Sequence, residues 1–245
     1  MKSIVSVFLL LICVLSSTGQ TQIAEYKIFP VDETGKDTSL VTFVAQLKNI
    51  LTEKDTARLF AIMHPKMVTS FGGIMFGKQD FMSQWHLENA KESEVWDLML
   101  HAINPGGVFC KGIFDEDTIE AAIQYPYASD GRLYQSAAAH FPDMYFDPYF
   151  TGVCIRKNAP VYESCDESSK QVATLSYDIL LIDYEATMNA QPDAGFDFKM
   201  HYINTLDGAV KGWIKTSDIY ALGGRTLFLE KKDGKWNITG FVAFD

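Results

Sequence analysis

Two stretches decide the fold: GVCIRKNAPVYESCDESSKQVATLSYDILLIDY at 152–184 and HYINTLDGAVKGWIKTSDIY at 201–220. Both contain short runs of β-branched and aromatic residues, and turn-forming residues separate the runs. Short strands at close spacing, joined by polar turns, are typical of a small antiparallel barrel. Asp207-Gly208 favours a hairpin because glycine accepts the positive φ that such turns need. We therefore predict a barrel over residues 152–221.

This segment resembles the bacterial SH3-like (SH3b) domain. The matching motifs are Ala159-Pro-Val-Tyr162, the turn at 166–170, Val172-Ala-Thr-Leu175, and Gly212-Trp-Ile214 followed by Asp218-Ile219. The family has Arg at the position of Tyr162, Gly-Pro at Ser164-Cys165 and Trp at Met200, and its connection is shorter than residues 183–198. The resemblance therefore implies the fold of the family, and not its mode of ligand binding.

Three tyrosines near the predicted turns are the candidate ligand-binding residues: Tyr162, Tyr177 and Tyr202. Aromatic faces give a large contact area at low entropic cost, so these residues could form a groove for a peptide or a glycan. Trp213, which follows Gly212 on a predicted strand, is expected in the barrel core.

The cysteines after residue 19 are odd in number, so at most one intramolecular pair can form. Cys154 and Cys165 flank the first predicted hairpin and are the candidate disulfide for an oxidising compartment. Sequence spacing does not establish disulfide geometry, so both states of this pair stay open. Cys110 is expected to be a small buried apolar residue.

The first 19 residues set the expected compartment. Lys2 precedes an apolar run at 4–15, and small polar residues follow at 16–19, as in a secretory signal peptide. The run is shorter than the ~20 apolar residues that span a bilayer. We expect a signal peptide at 1–19 and a secreted or periplasmic protein. Cys13 follows Ile12, where a lipobox needs a small residue, so a lipid anchor is the less favoured alternative.

Composition excludes some partners. The net charge is −10, with 31 acidic and 21 basic residues, and phosphate contacts need Lys and Arg. We therefore expect no nucleic-acid binding. A hydrophobic content of 47% supports packed cores over disorder, and no later segment predicts a transmembrane helix.

Residues 20–151 are predicted to form an α+β domain. Apolar residues repeat every three to four positions from 40 to 51, which is one face of a helix, and Asp37 can cap its first turn. Helices are also predicted over 77–86 and 93–103, and strands over 67–71 and 108–113. In the tail at 222–245, residues on both sides of Asp233-Gly234 alternate between apolar and polar or form apolar runs. This pattern predicts a β-hairpin that returns to this domain. The barrel would then be an insertion.

The chain after residue 19 also resembles a bacterial family of secreted SH3-domain-containing proteins of uncharacterised function. The matching segments are Ser70-Phe-Gly-Gly73, Asp80-Phe81 with Trp85, Trp96, Gly106-Gly107, Glu230-Lys-Lys-Asp-Gly-Lys-Trp236 and Phe241-Val-Ala243. Separately, the opening helix pair and the closing Gly-x-Trp strand resemble the cone-shaped α+β fold of nuclear-transport-factor-like proteins. That fold implies a small-molecule pocket as one alternative function.

No complete catalytic motif is present. The sequence GGIMFGK at 72–78 starts like a phosphate-binding loop, but Gln79 replaces the Ser or Thr that holds magnesium, so a turn before a helix is expected. The five histidines, at 64, 86, 101, 140 and 201, have no metal-ligand spacing. Acidic residues at 115–117, 120, 143 and 147 follow no calcium-loop pattern. We expect no metal and no cofactor.

We therefore expect an exported, non-catalytic binding protein of the bacterial cell envelope. Its SH3-like barrel would recognise a peptidoglycan peptide or glycan, or an envelope protein. Because SH3b domains often accompany cell-wall hydrolases, the main alternative is a hydrolase assembled from scattered groups. Such a site would need Cys110 or an acidic pair to meet His140 or His201 in space.

Overall fold

The computed structural model describes residues 23–24, 27–70, 73–114, 118–132, 147–195 and 198–243. The predicted signal peptide, His140 and the acidic residues at 115–117 and 143 lie outside the described residues. The chain is mixed α+β, as predicted, and its strands form two large sheets and a two-stranded one.

Five α-helices have described bounds. They are α1 (Thr38–Glu53), α2 (Thr56–Ala61), α3 (Gly77–Gln84), α4 (Val95–Ile103) and α5 (Tyr184–Ala190). The predicted cap of α1 is confirmed, because the Asp37 carboxylate accepts hydrogen bonds from Ser39 N at 2.7 Å and Leu40 N at 3.1 Å. The helix expected after the glycine-rich sequence is present and begins at Gly77, but Ile74–Phe76 before it form a short strand rather than only a turn.

A six-stranded sheet underlies the first part of the chain. Its strands are β3 (Met63–Ser70), β4 (Ile74–Phe76), β5 (Val108–Cys110), β6 (Ala121–Tyr125), β14 (Arg225–Lys232) and β15 (Lys235–Ala243), in the spatial order β4-β3-β15-β14-β6-β5. The pair β15–β3 is parallel, and the other pairs are antiparallel. We call this sheet with α1 to α4 the α+β unit.

The C-terminal hairpin returns to the α+β unit, as the sequence predicts. β14 pairs with β6, and β15 pairs with β3, so the hairpin forms the centre of the six-stranded sheet. Both turn residues, Asp233 and Gly234, have positive φ. The chain between β6 and β14 is therefore an insertion into the α+β unit.

The inserted unit, residues 147–221, contains the second large sheet and α5. The strands are β7 (Thr151–Cys154), β8 (Ala159–Tyr162), β9 (Gln171–Leu175), β10 (Ile179–Asp183), β11 (Met200–Thr205), β12 (Lys211–Lys215) and β13 (Ile219–Ala221). All pairs are antiparallel, in the order β13-β7-β10-β11-β12-β8-β9. Within the described residues no pairing joins β13 to β9, so a closed barrel is not confirmed.

One apolar cluster lies inside the inserted sheet. It contains residues from all seven strands, including Cys154, Val161, Leu175, Ile203 and Ile219. Strands at both ends of the sheet share this cluster, so the sheet must bend around it. β12 and β8 are joined by the single residue pair Trp213–Tyr162.

The two units pack against each other through a second apolar cluster. It joins Val108 and Tyr127 of the α+β unit to Val153, Ile179 and Tyr220 of the inserted unit. A short hairpin of β1 (Ile23–Ala24) and β2 (Lys27–Ile28) lies beside the same contact, where Lys27 Nζ lies 2.7 Å from the Asp178 carboxylate. Among the described residues, no helix combines the length and the apolar character needed to cross a membrane.

Candidate functional site

Three aromatic residues stand side by side across the inserted sheet. Tyr202 on β11 is paired with Trp213 on β12, which is paired with Tyr162 on β8. Directly paired residues of neighbouring strands project from the same face of a sheet. We call Tyr162, Trp213 and Tyr202 the aromatic row. The structure thus brings together two of the three predicted tyrosines.

Trp213 is buried, as predicted, but it is not part of the apolar cluster inside the sheet. Side chains alternate between the two faces of a strand, and Ile214 lies in that cluster. Trp213 therefore projects from the opposite face. Its side chain is only 8% exposed, and the half-buried Tyr162 and Tyr202 flank it.

Basic side chains lie on the same face as the aromatic row. Lys211 and Lys215 are two residues on either side of Trp213, so the strand alternation places them on its face. Lys211 is exposed, and Lys215 forms an ion pair with Glu167 that raises the pKa of Lys215. Asp183 is directly paired with Tyr202, so this face carries an acidic residue beside the two lysines.

Tyr177 does not join the aromatic row. It occupies the tight turn between β9 and β10 with φ of 64°, and its ring lies 5.9 Å from the ring of Phe29. Its carbonyl oxygen accepts a hydrogen bond from Ile28 N at 2.8 Å. Tyr177 therefore holds the β1–β2 hairpin against the inserted unit, and the predicted three-tyrosine groove is not formed.

The candidate disulfide is not formed, because Cys110, Cys154 and Cys165 are all free thiols. Cys154 is fully buried in the inserted sheet and its Sγ donates to the Arg156 carbonyl at 3.2 Å. Cys165 does not belong to the apolar cluster inside the inserted sheet and lies in the turn between β8 and β9. Burial raises the pKa of both thiols.

The structure gives no support to a site that pairs Cys110 with His201. Cys110 is on β5 at the edge of the six-stranded sheet, and burial raises the pKa of its thiol to about 11. His201 is on β11 of the other sheet, between the rings of Tyr184 and Phe198.

Of the predicted acidic residues, Glu120 accepts a hydrogen bond from Gly234 N, and Asp147 accepts one from Tyr149 N. Among the described residues, no three His, Cys, Asp or Glu side chains are grouped as metal ligands.

A cleft of about 420 Å³ lies between α4 of the α+β unit and the inserted unit. Its lining includes the side chains of Tyr149, Tyr184, Phe198, His101, His201 and Arg225. No sequence motif marks these residues as ligand-binding; His101 and His201 lack metal-ligand spacing, and His201 was otherwise a candidate for a catalytic group. The cleft depends on the packing of the two units, so no local motif marks it.

His201 is the most unusual group in the cleft. It is 7% exposed, its Nδ1 has no hydrogen-bond partner, and its ring meets Tyr184 and Phe198 edge-on at 5.6 Å each. Burial lowers the pKa of His201 to about 4, so the imidazole is neutral at pH 7.

His101 is a second neutral imidazole in the cleft, since burial also lowers its pKa. Its Nε2 lies 2.9 Å from the carbonyl oxygen of Ile219. A carbonyl only accepts, so Nε2 donates and Nδ1 of the neutral ring is an acceptor. This hydrogen bond fixes α4 to the inserted unit.

Arg225 supplies the charge at the cleft wall. Its guanidinium lies 4.5 Å from the ring centroid of Trp85 and donates to the Ser70 carbonyl at 3.3 Å. Burial lowers the pKa of Arg225, and the charge of Glu94 acts in the opposite direction.

Comparison with known proteins identifies no relative: the chain matches no family model, no curated protein and no solved structure. Function must therefore be argued from the two sites themselves, the aromatic row and the cleft.

Proposed function

We propose that the chain is an exported, non-catalytic binding protein whose inserted unit is SH3-like and recognises a peptide of the bacterial cell envelope. The observation that carries this proposal is the register of Tyr202, Trp213 and Tyr162 on three neighbouring strands. Two half-buried tyrosines beside a buried tryptophan give a rigid apolar surface with polar hydroxyl tips. Such surfaces suit extended peptides, because they lose little entropy on binding.

The charge of the same face selects the kind of peptide. Lys211 and Lys215 lie on either side of Trp213, and Arg156, near Tyr162, is held by Asp218 at 3.1 Å. Free carboxylates of a peptide could pair with Lys211 and Lys215 beside Trp213, while the net charge of −10 disfavours acidic ligands elsewhere on the surface. Peptidoglycan peptides have both features, an extended backbone and free carboxylates.

The SH3-like assignment rests on the sequence motifs and on the shared core. Gly212-Trp-Ile214 resembles the family's closing motif, and all seven strands of the inserted sheet contribute to one apolar cluster. A Cβ at Gly212 would lie 2.5 Å from the Tyr162 carbonyl oxygen, so glycine at this motif position allows β12 to approach β8. These features support a sheet wrapped on itself.

The alternative of a ligand pocket inside a cone-shaped α+β unit is less well supported. Its strand order, with β15 parallel to β3, fits the resemblance to nuclear-transport-factor-like proteins. However, buried side chains such as Trp96, Met99, Leu229 and Phe241 pack between its helices and its sheet. We therefore assign recognition to the inserted unit.

A pull-down of the chain without residues 1–19 on isolated peptidoglycan sacculi tests the proposal. We expect saturable binding and no release of muropeptides. Release of fragments would indicate a hydrolase instead. Absence of binding would exclude the wall peptide, and the same chain would then be tested against an extract of envelope proteins.

A further inference from the structure

Four aromatic rings, those of Tyr149, Tyr184, Phe198 and Tyr220, line the cleft between the two units. Gly223 and Gly224 let the chain pass over two of the rings: a Cβ at Gly223 would lie 3.0 Å from the Tyr149 ring, and one at Gly224 would lie 3.0 Å from the Tyr220 ring. A volume of about 420 Å³ falls in the range of small-molecule sites, which often lie between two packed units.

One wall of the cleft contains a polar atom that the protein does not satisfy. Nδ1 of His201 is buried and has no hydrogen-bond partner among the described residues. Leaving a buried polar atom unpaired carries the cost of its desolvation with no hydrogen bond in return. His201 lines the cleft, so a ligand toward which the imidazole turns could accept or donate the missing hydrogen bond at Nδ1 and recover part of that cost.

The charges at the cleft walls favour an anionic ligand over a cationic one. Among the residues that the structure describes, no Asp or Glu lines the cleft, and Arg225 is the only lining residue with a formal charge at pH 7. This is unusual in a chain with 31 acidic residues. Glu94, which influences Arg225, does not line the cleft. A carboxylate is the group that a guanidinium binds with the best geometry.

We infer that this cleft is a second binding site, for a small aromatic carboxylate whose ring lies among Tyr149, Tyr184 and Phe198 and whose carboxylate lies towards His201 and Arg225. This site is independent of the aromatic row and would exist whether or not the inserted unit binds wall peptides. Because both units line it, an occupant would also stabilise their packing.

The test uses 2-naphthoate as the probe and 2-naphthamide as its neutral analogue, with the chain without residues 1–19. We expect saturable binding of 2-naphthoate by calorimetry, at least about tenfold tighter than that of 2-naphthamide. Ala243 lines the cleft at the end of β15 and is only partly buried, so Ala243→Trp would fill the cleft and weaken naphthoate binding at least about tenfold. Val172→Trp, at an exposed position of β9 that is not among the described lining residues, is the matched control and should leave naphthoate binding unchanged.

A second measurement on the unaltered chain does not depend on any variant folding. A bound anion beside His201 favours its protonated form, so NMR titration of the imidazole nitrogens should show its pKa rising from about 4 with 2-naphthoate and not with 2-naphthamide. The inference is overturned if 2-naphthoate does not saturate, or binds no tighter than the amide. It is also overturned if the His201 titration is unmoved by 2-naphthoate, or if a folded Ala243→Trp variant binds it equally well.

Discussion

The ring of Tyr202 meets the ring of Trp213 at 67°, with centroids 5.4 Å apart, because the two residues are directly paired between β11 and β12. Trp213 is also the only residue of β12 paired with β8, through Tyr162. The proposed ligand surface therefore lies on the join between two parts of the inserted sheet. Replacing Trp213 would disturb the fold as well as the surface, so the flanking tyrosines are the better probes of binding.

The close approach at this join predicts a strong effect of a single methyl group. Gly212 has φ of 153°, and a Cβ there would lie 2.5 Å from the Tyr162 carbonyl oxygen. We expect Gly212→Ala to lower the free energy of unfolding by about 1–3 kcal/mol in urea titrations. Gly35→Ala, where a Cβ meets nothing within 4 Å, is the control. Equal stability of the two variants would contradict the β8–β12 contact.

Burial of His201 predicts a pH dependence of stability. Its pKa is about 4 in the folded chain and 6.5 ordinarily, so the unfolded chain takes up a proton at higher pH than the folded chain. The free energy of unfolding should therefore fall as the pH falls from 6.5 to 4, by about 3 kcal/mol from this residue. Above pH 6.5 both states are neutral and the contribution is absent.

His201→Phe keeps a ring between Tyr184 and Phe198 and removes the titrating group. The free energy of unfolding of this variant should therefore depend less on pH between pH 4 and 6.5, as measured by urea titrations at each pH. His86→Gln, at an exposed site, controls for the loss of a histidine. Parallel profiles of the His201→Phe variant and the unaltered chain between pH 4 and 6.5 would show that His201 is not buried as described.

The insertion predicts that the α+β unit needs the C-terminal hairpin. The hairpin supplies the central strands of the six-stranded sheet and the core residues Leu227, Leu229, Trp236, Ile238 and Phe241. A chain ending at Tyr220 should lose near-ultraviolet circular dichroism and hydrogen-exchange protection in α1 and β3. A chain ending at Ala243 is the control. Native protection of α1 and β3 in the shorter chain would refute the pairing of β15 with β3.

Free thiols predict insensitivity to reducing agents. The denatured chain without residues 1–19 should titrate three thiols, from Cys110, Cys154 and Cys165, after purification without reductant. In the native state Cys165 should react first, because Cys154 is fully buried. A count of one thiol, together with a fall in Tm on reduction, would show that a disulfide does form.

Local signals in the sequence predicted the local structure. The Asp37 cap, the apolar face of α1 and the hairpin turn at Asp233-Gly234 each depend on residues close together in the chain, and all three are present. The helix α5 was not predicted, although Asp183 accepts from Ala186 N at 2.9 Å in the usual capping pattern. The similarity of residues 183–198 to a connecting loop obscured this signal.

The sites depended on long-range packing and were predicted less well. Tyr162 and Tyr202 come together because β11, β12 and β8 are neighbours, which sequence proximity does not determine. Tyr177 was separated from them by the turn that contacts Phe29. The face of Trp213 was mistaken because hydrophobic character does not distinguish the two sides of a strand. The cleft could not be found before the packing of the two units was known.

The most direct test of the proposed function compares the binding of Tyr202→Ala and Tyr177→Ala variants to peptidoglycan sacculi, both checked for native circular dichroism. Both changes remove one partly buried tyrosine of the inserted unit, but only Tyr202 belongs to the aromatic row. The account predicts that Tyr202→Ala weakens binding by about tenfold or more, while Tyr177→Ala changes it by less than about twofold. Equal affinities of the two variants, or a loss confined to Tyr177→Ala, would contradict recognition by the aromatic row.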